Sequence, residues 1–226
     1  MARQEMVRQL NDWLRRVPIW SVWVMGMIPV GLLVFDTLAG RLGVDPVRDI
    51  EHRLGRTTIY LLIATLCVTP LLKLTRVSLV RFRRAGGLLC FAYAVMHLLA
   101  WAVFDMGGRW GQMVSDIVRR PYLTIGMAAL LILAILAATS SNAAIRALGG
   151  KRWKRLHQLS YLAVLLGVFH WLLAYKIWPA KPLLTAILIL GLLGYRLLSA
   201  YPLTILSAGC VFFLHHLHFF TCVVGL

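Results

Sequence analysis

The sequence predicts an all-α integral membrane protein, a helical bundle of six transmembrane helices with a candidate seventh segment at its C-terminus. Composition, the lengths of its apolar runs and the placement of its basic residues carry that prediction. Of 226 residues, 60% are hydrophobic and only 14% are charged, and the mean hydropathy of +0.78 lies above that of a soluble domain. Runs at Ile19 to Phe35, Thr57 to Leu72, Ala85 to Phe104, Tyr122 to Ala138 and Leu156 to Tyr175 each approach the roughly 20 residues that a bilayer core requires. A sixth extends from Pro182 to about Ala200.

The first run ends at Asp36 with no A-x-A site after it, so it is expected to persist as an anchor and not as a cleaved signal. The stretch after it, "GVDPVRDIEH", has Asp45 placed to cap a short helix with Pro46 at its first position, and Asp49 and Arg53 at i, i+4 spacing. It reads first as an interfacial helix on the membrane and second as a docking surface that would include His52. Arg3, Arg8, Arg15 and Arg16, then Lys73, Arg76, Arg81, Arg83 and Arg84, then Arg146, Lys151, Arg152, Lys154 and Arg155, with Arg196, fall in every second connection and so on one side of the runs. These are 15 of the 24 Lys and Arg residues, and the positive-inside rule therefore puts the N-terminus in the cytoplasm. A net charge of +16 distributed by loop gives topology and no nucleic-acid face.

The four cysteines, Cys67, Cys90, Cys210 and Cys222, lie in apolar runs without a C-x-x-C pair, which points to packing and not to a disulfide framework. Histidines are more informative. His97 follows Arg84 by 13 residues and His170 follows Arg155 by 15, on two spans that run in the same direction. At about 1.5 Å per residue both lie some 20 to 22 Å beyond their basic clamps, at one level toward the outer side. Two imidazoles at matched depth on different helices can hold one iron between them, as in a bis-histidine b-type haem. The alternative is that each hydrogen-bonds a neighbouring helix. His157 lies about 19 Å inward of His170, level with Arg83, where it is either part of an inner site or an interfacial residue. The 13 residues between His157 and His170 turn a straight helix through about 220°, so the two share a face only if the helix bends.

In order along the chain, "GVDPVRDIEHRLGRT", "RFRRAGGLLCFAYAVMHLLAW", "RPYLTIG", "KRWKRLHQLSYLAVLLGVFHW" and "KIWPAKPL" resemble the MsrQ (YedZ) family over roughly residues 10 to 200. That family comprises haem-binding membrane subunits of the bacterial periplasmic methionine sulfoxide reductase system, within the ferric-reductase-like transmembrane group. The resemblance implies haem b and FMN as cofactors and an inner-membrane location. It also implies electron flow from the respiratory quinone pool to a periplasmic molybdopterin-containing subunit, in contact with membrane lipid and not with nucleic acid. Carried over by position, its haem-associated histidines fall on His97, His157 and His170, and its flavin-binding arginines on Arg83 and Arg84. A guanidinium pair at a helix start suits an FMN phosphate, and it also serves as ordinary positive-inside anchoring. Compared with the two-haem ferric reductases of that group, Arg83 stands where the inner partner of His157 would be expected, so the resemblance implies flavin and not a second bis-histidine haem at the inner level.

The chain has no G-x-G-x-x-G fingerprint or Walker loop, so electrons are expected from a quinol or a separate flavin reductase. Residues 1–200 are expected to form the haem-binding domain and residues 201–226 an uncharged apolar tail. His215, His216 and His218 in that tail converge poorly on one metal and are read as non-functional. Two other function classes stand beside the electron-transfer subunit. One is an independent quinol-linked or metal-reducing cytochrome b. The other is a non-redox transporter or assembly factor whose histidines only bridge helices.

Overall fold

The computed structural model describes residues 2–175 and 179–200. The expectations for Cys210, Cys222, His215, His216, His218 and the 201–226 tail lie outside the described residues. The described chain is helical, with α1 Ala2–Arg16, α2 Trp20–Leu38, α3 Pro46–Thr75, α4 Arg83–Ala100, α5 Trp110–Arg119, α6 Pro121–Ala138, α7 Asn142–Leu148, α8 Gly150–His157, α9 Leu159–Leu173 and α10 Ala180–Ala200. A 3₁₀ turn, Val80–Phe82, precedes α4, and a π-helical turn, Trp101–Asp105, continues it. Six stretches among the described residues are long and apolar enough to cross a membrane: α2, α3, α4 with its flanking turns, α6, α8 with α9, and α10. All six expected spans are present. Along α2, Val24, Ile28, Leu32 and Phe35 follow helical spacing and are all exposed, as apolar side chains are when lipid is the solvent. The described residues divide into two units, with the division between Ile189 and Leu190.

Within the first unit the most extensive contacts join α3 to α4 and α6 to α9, and the two pairs meet through α4 with α6 and α3 with α9. Successive spans alternate in direction, so both pairs are antiparallel. All four helices contribute to the buried core, with Ile59, Leu62 and Leu66 from α3, Ala85, Leu89 and Cys90 from α4, Leu133 from α6, and Ala163 and Val164 from α9, while Leu54 and Tyr93 pack with Leu33 of α2. Cys90 directs its thiol at the Thr58 carbonyl, 3.4 Å away, and neither Cys90 nor Cys67 is in a disulfide, consistent with packing. α1 is tied to the connection between α3 and α4 by Asn11, which donates to the Arg76 carbonyl at 3.0 Å and accepts from the Ser78 N–H at 2.9 Å. That places the N-terminal helix, residues 76–82 and the α6–α8 connection at one end of the bundle, with residues 39–45 and 101–120 at the other.

α2 docks on α4 through the Tyr93 hydroxyl. The Tyr93 hydroxyl donates to the Gly26 carbonyl at 2.6 Å and accepts from the Val30 N–H at 3.2 Å, so it stands between two groups that an uninterrupted helix pairs with each other. Pro29 lies in the same turn, and Gly26 is needed because a Cβ there would come within 2.5 Å of Leu89.

The "GVDPVRDIEH" stretch departs from expectation. Asp45 does cap a helix, accepting from the Arg48 N–H at 3.1 Å, but that helix continues without interruption to Thr75 and is not a separate interfacial segment. No helix-breaking residue follows Pro46 until the span is established, and a single internal glycine, Gly55, is tolerated in a packed helix. Asp49 pairs with Arg53 at 3.0 Å as expected, and Arg53 also binds Asp36 at the end of α2. The His157 to His170 segment is broken once, at Gln158, where Gln158 N–H and Tyr161 N–H turn to i−3 carbonyls.

Candidate cofactor site

Four helices converge on one side chain pair. His97, one turn from the end of α4, places Nδ1 2.9 Å from the Glu51 carbonyl of α3. A carbonyl only accepts, so Nδ1 carries the proton and Nε2 keeps its lone pair. A helical carbonyl already receives the N–H four residues on, and that next residue decides whether a second donor can reach it. For Glu51 it is Gly55, whose bare Cα faces the His97 ring: a Cβ there would sit 3.4 Å from Nδ1 and Cε1.

The second pair repeats the device. His170 of α9 places Nδ1 2.7 Å from the Tyr122 carbonyl in the first turn of α6, and the residue four further on is Gly126. Here the approach is closer, since a Cβ at Gly126 would be 2.7 Å from Nδ1 and 2.9 Å from Cε1. The Tyr122 ring lies beside the imidazole, centroid to centroid 5.9 Å.

The rings of His97 and His170 are 6.2 Å apart between centroids and inclined by 73°. Two imidazoles bonded to one metal at about 2 Å each, with the metal between them, have centroids about 6 Å apart. Neither Nε2 has a hydrogen-bond partner among the described residues. Both histidines line a cavity of about 440 Å³ between the two helix pairs. Its depth is apolar, with Leu62, Leu133 and Ala163, and small residues flank the pair at Gly55, Ala94, Gly126 and Gly167. Gly167 keeps the wall thin, because a Cβ there would meet Ile59 Cδ1 at 2.8 Å. Trp101 and Asp105, on the π-helical turn closed by Met106 N–H to the Trp101 carbonyl at 2.9 Å, complete the mouth. The arrangement can hold a metal-centred planar group, with Nε2 ligands on each side.

His157 is not part of this cluster. It lies at the end of the bundle that carries the N-terminus, stacked on Trp153 with centroids 3.9 Å apart. Its Nδ1 is 3.2 Å from the Trp153 carbonyl and its Nε2 3.5 Å from Ser140 Oγ, while Trp153 Nε1 donates to the Thr139 carbonyl at 2.9 Å. Together they close the C-terminal end of α6. At the same end of the bundle Arg83 and Arg84 open α4. Arg83 Nη1 is 3.4 Å from Thr69 Oγ1 and Arg84 Nη1 donates to Asn142 Oδ1 at 2.9 Å.

A family model described as the ferric reductase like transmembrane component matches residues 54–168. Proteins of Brucella ovis, Brucella canis and Brucella suis, each named protein-methionine-sulfoxide reductase heme-binding subunit MsrQ, are 43% identical over 183 residues, which cover 81% of this chain and 83% of theirs. The chain belongs to the MsrQ family. It is accordingly a multi-pass membrane protein of the ferric-reductase-like group. The family match encloses His97, His157, Arg83 and Arg84, while His170 falls two residues past its end and Glu51 three before its start.

Sequence reasoning found both histidines and missed what holds them. The missing parts are two main-chain carbonyls and two glycines. A signal was present in "EHRLGRT" and "PYLTIG": an isolated glycine within a helical apolar pattern marks a close approach. In both, it stands four residues after the carbonyl in question.

Proposed function

We propose that the chain is the electron-transferring membrane subunit of a methionine sulfoxide reductase system, with one haem b whose iron is ligated by His97 and His170. Its setting would be the bacterial inner membrane with the N-terminus in the cytoplasm, in keeping with the basic residues on that side. The observation that carries the reading is the paired tautomer: both imidazoles give their Nδ1–H to a carbonyl and keep Nε2 for a ligand. The 6.2 Å ring separation supports one metal between them. A haem iron held there would supply a one-electron carrier. The protein's part is to fix ring orientation through the two hydrogen bonds, which also raise imidazole basicity, and to exclude water with the apolar lining.

At the cytoplasmic end Arg83 and Arg84 are assigned to the phosphate of FMN, with His157 and its stacked Trp153 beside the flavin site. Two guanidiniums at the positive end of α4 favour an anion, and Thr69 and Asn142 hold them in position. Electrons would enter from the quinone pool or a flavin reductase and leave at the opposite face to a periplasmic molybdopterin-containing subunit that reduces methionine sulfoxide. Within the described residues the chain offers no site of its own for that chemistry.

The test places the purified protein in vesicles with reduced quinone, adds the periplasmic reductase and methionine sulfoxide outside, and follows haem reoxidation. Reoxidation that depends on the reductase is expected. Equal reoxidation without it would assign the chain as an independent cytochrome instead.

A further inference from the structure

The cavity is polarised along its length in a way that the histidine pair does not explain. Arg48, His52 and Arg56 stand four residues apart, so they stack on one face of α3, and all three line the cavity mouth. One to two turns further along α3 the lining becomes apolar at Ile59 and Leu62. Across the mouth Arg120 lines the cavity from the start of α6, 3.4 Å from both Asp116 and the Tyr122 hydroxyl. Arg53 provides the contrast: it is neutralised by Asp36 and Asp49 and lies off the cavity.

Neither the Arg48 nor the Arg56 side chain has a hydrogen-bond or ion-pair partner among the described residues. Asp45, Glu51 and Asp105 share the rim without satisfying them. Asp45 caps α3, and Glu51 keeps a buried carboxyl oxygen without a partner, so neither guanidinium closes on it. Arg56 is half-buried and Arg48 exposed, and guanidiniums that face a cavity without a partner call for an anion from outside the chain, for which a planar fork favours carboxylate. The cavity thus asks for a ligand with an apolar body and acidic groups at one edge.

We propose that Arg48, Arg56 and Arg120 form a carboxylate-binding rim that takes the two propionate groups of the haem and sets its in-plane orientation, acidic edge toward the periplasmic mouth. The inference rests on the reading of His97 and His170 as ligands of one haem iron. It gives the rim a role in function, since it presents one defined edge of the cofactor at the face where electrons leave.

The experiment compares full-length protein reconstituted with haem b or with haem b dimethyl ester, in which both carboxylates are masked. Affinity for each is read from transfer to excess apomyoglobin, and ligation from the low-spin absorption spectrum. Wild type is expected to hold the free acid at least about tenfold more tightly than the ester. The R48Q/R56Q/R120Q variant should hold the two within about twofold, the single variants R48Q and R56Q should fall between, and R53Q should behave as wild type. Equal retention of acid and ester by wild type, or an undiminished preference in the arginine variants, overturns the rim. A wild type that gives no bis-imidazole spectrum with either form removes the ligand pair itself, and with it the proposal; a normal spectrum without discrimination removes the rim alone.

Discussion

Gly126 and Gly55 occupy equivalent places in the two halves of the site, yet their replacement by alanine should have unequal effects. At position 126 the new Cβ would stand 2.7 Å from His170 Nδ1 and 2.9 Å from Cε1. Restoring an ordinary contact of about 3.5 Å requires the ring to move by roughly 0.8 Å. The hydrogen bond to the Tyr122 carbonyl is 2.7 Å long, and a displacement of that size takes it outside the usual range. Loss of such an outer-shell bond typically lowers metal affinity by about 10 to 100-fold, or about 1.4 to 2.8 kcal/mol. At position 55 the nearest His97 atoms would be 3.4 Å from the Cβ, an ordinary contact, so Gly55→Ala should change haem affinity by about threefold or less. The assay is haem transfer to apomyoglobin from each variant, with the low-spin spectrum recorded beside it. No effect of Gly126→Ala would refute the argument that the bare glycine admits His170 to the Tyr122 carbonyl.

Tyr93→Phe removes the hydroxyl that stands between the Gly26 carbonyl and the Val30 N–H, and should cost about 1 to 3 kcal/mol; thermal denaturation in detergent should show a lowered midpoint, and an unchanged one would remove Tyr93 from the docking of α2. Arg83→Gln with Arg84→Gln should deplete FMN in the purified protein while haem content stays at wild-type level, whereas stoichiometric flavin in the double variant would leave the arginines as topology signals only. His157→Phe should leave the low-spin haem signal unchanged, because its ring sits with Trp153 and Ser140 and not with His97 and His170; disappearance of that signal would place it among the ligands.

The spans were legible because lipid as solvent demands long apolar runs, which are a property of local sequence. The level of His97 and His170 was legible for a related reason: basic residues mark where each helix enters the membrane, and helical rise is constant. Asp45 as a cap and the Asp49–Arg53 pair were also local features. What escaped reading was tertiary. Nothing along α3 says that the Glu51 carbonyl will meet His97, since that depends on how α3 lies against α4. The same holds for Tyr122 and His170, for the insertion of Tyr93 into α2 and for Asp36 as the second partner of Arg53. The continuous α3 was missed because charged residues were read as the end of a span. In the structure the helix carries on past the apolar run, and its first turns form the mouth of the cavity.

The central claim is that one haem iron lies between His97 and His170. Electron paramagnetic resonance of the oxidised protein, recorded for wild type, His97→Ala and His170→Ala, tests it most directly. Wild type should give a low-spin bis-imidazole signal, and each variant should lose that signal, either by losing haem or by passing to a high-spin five-coordinate form, while still inserting in the membrane. A full low-spin signal retained in either variant would contradict the account.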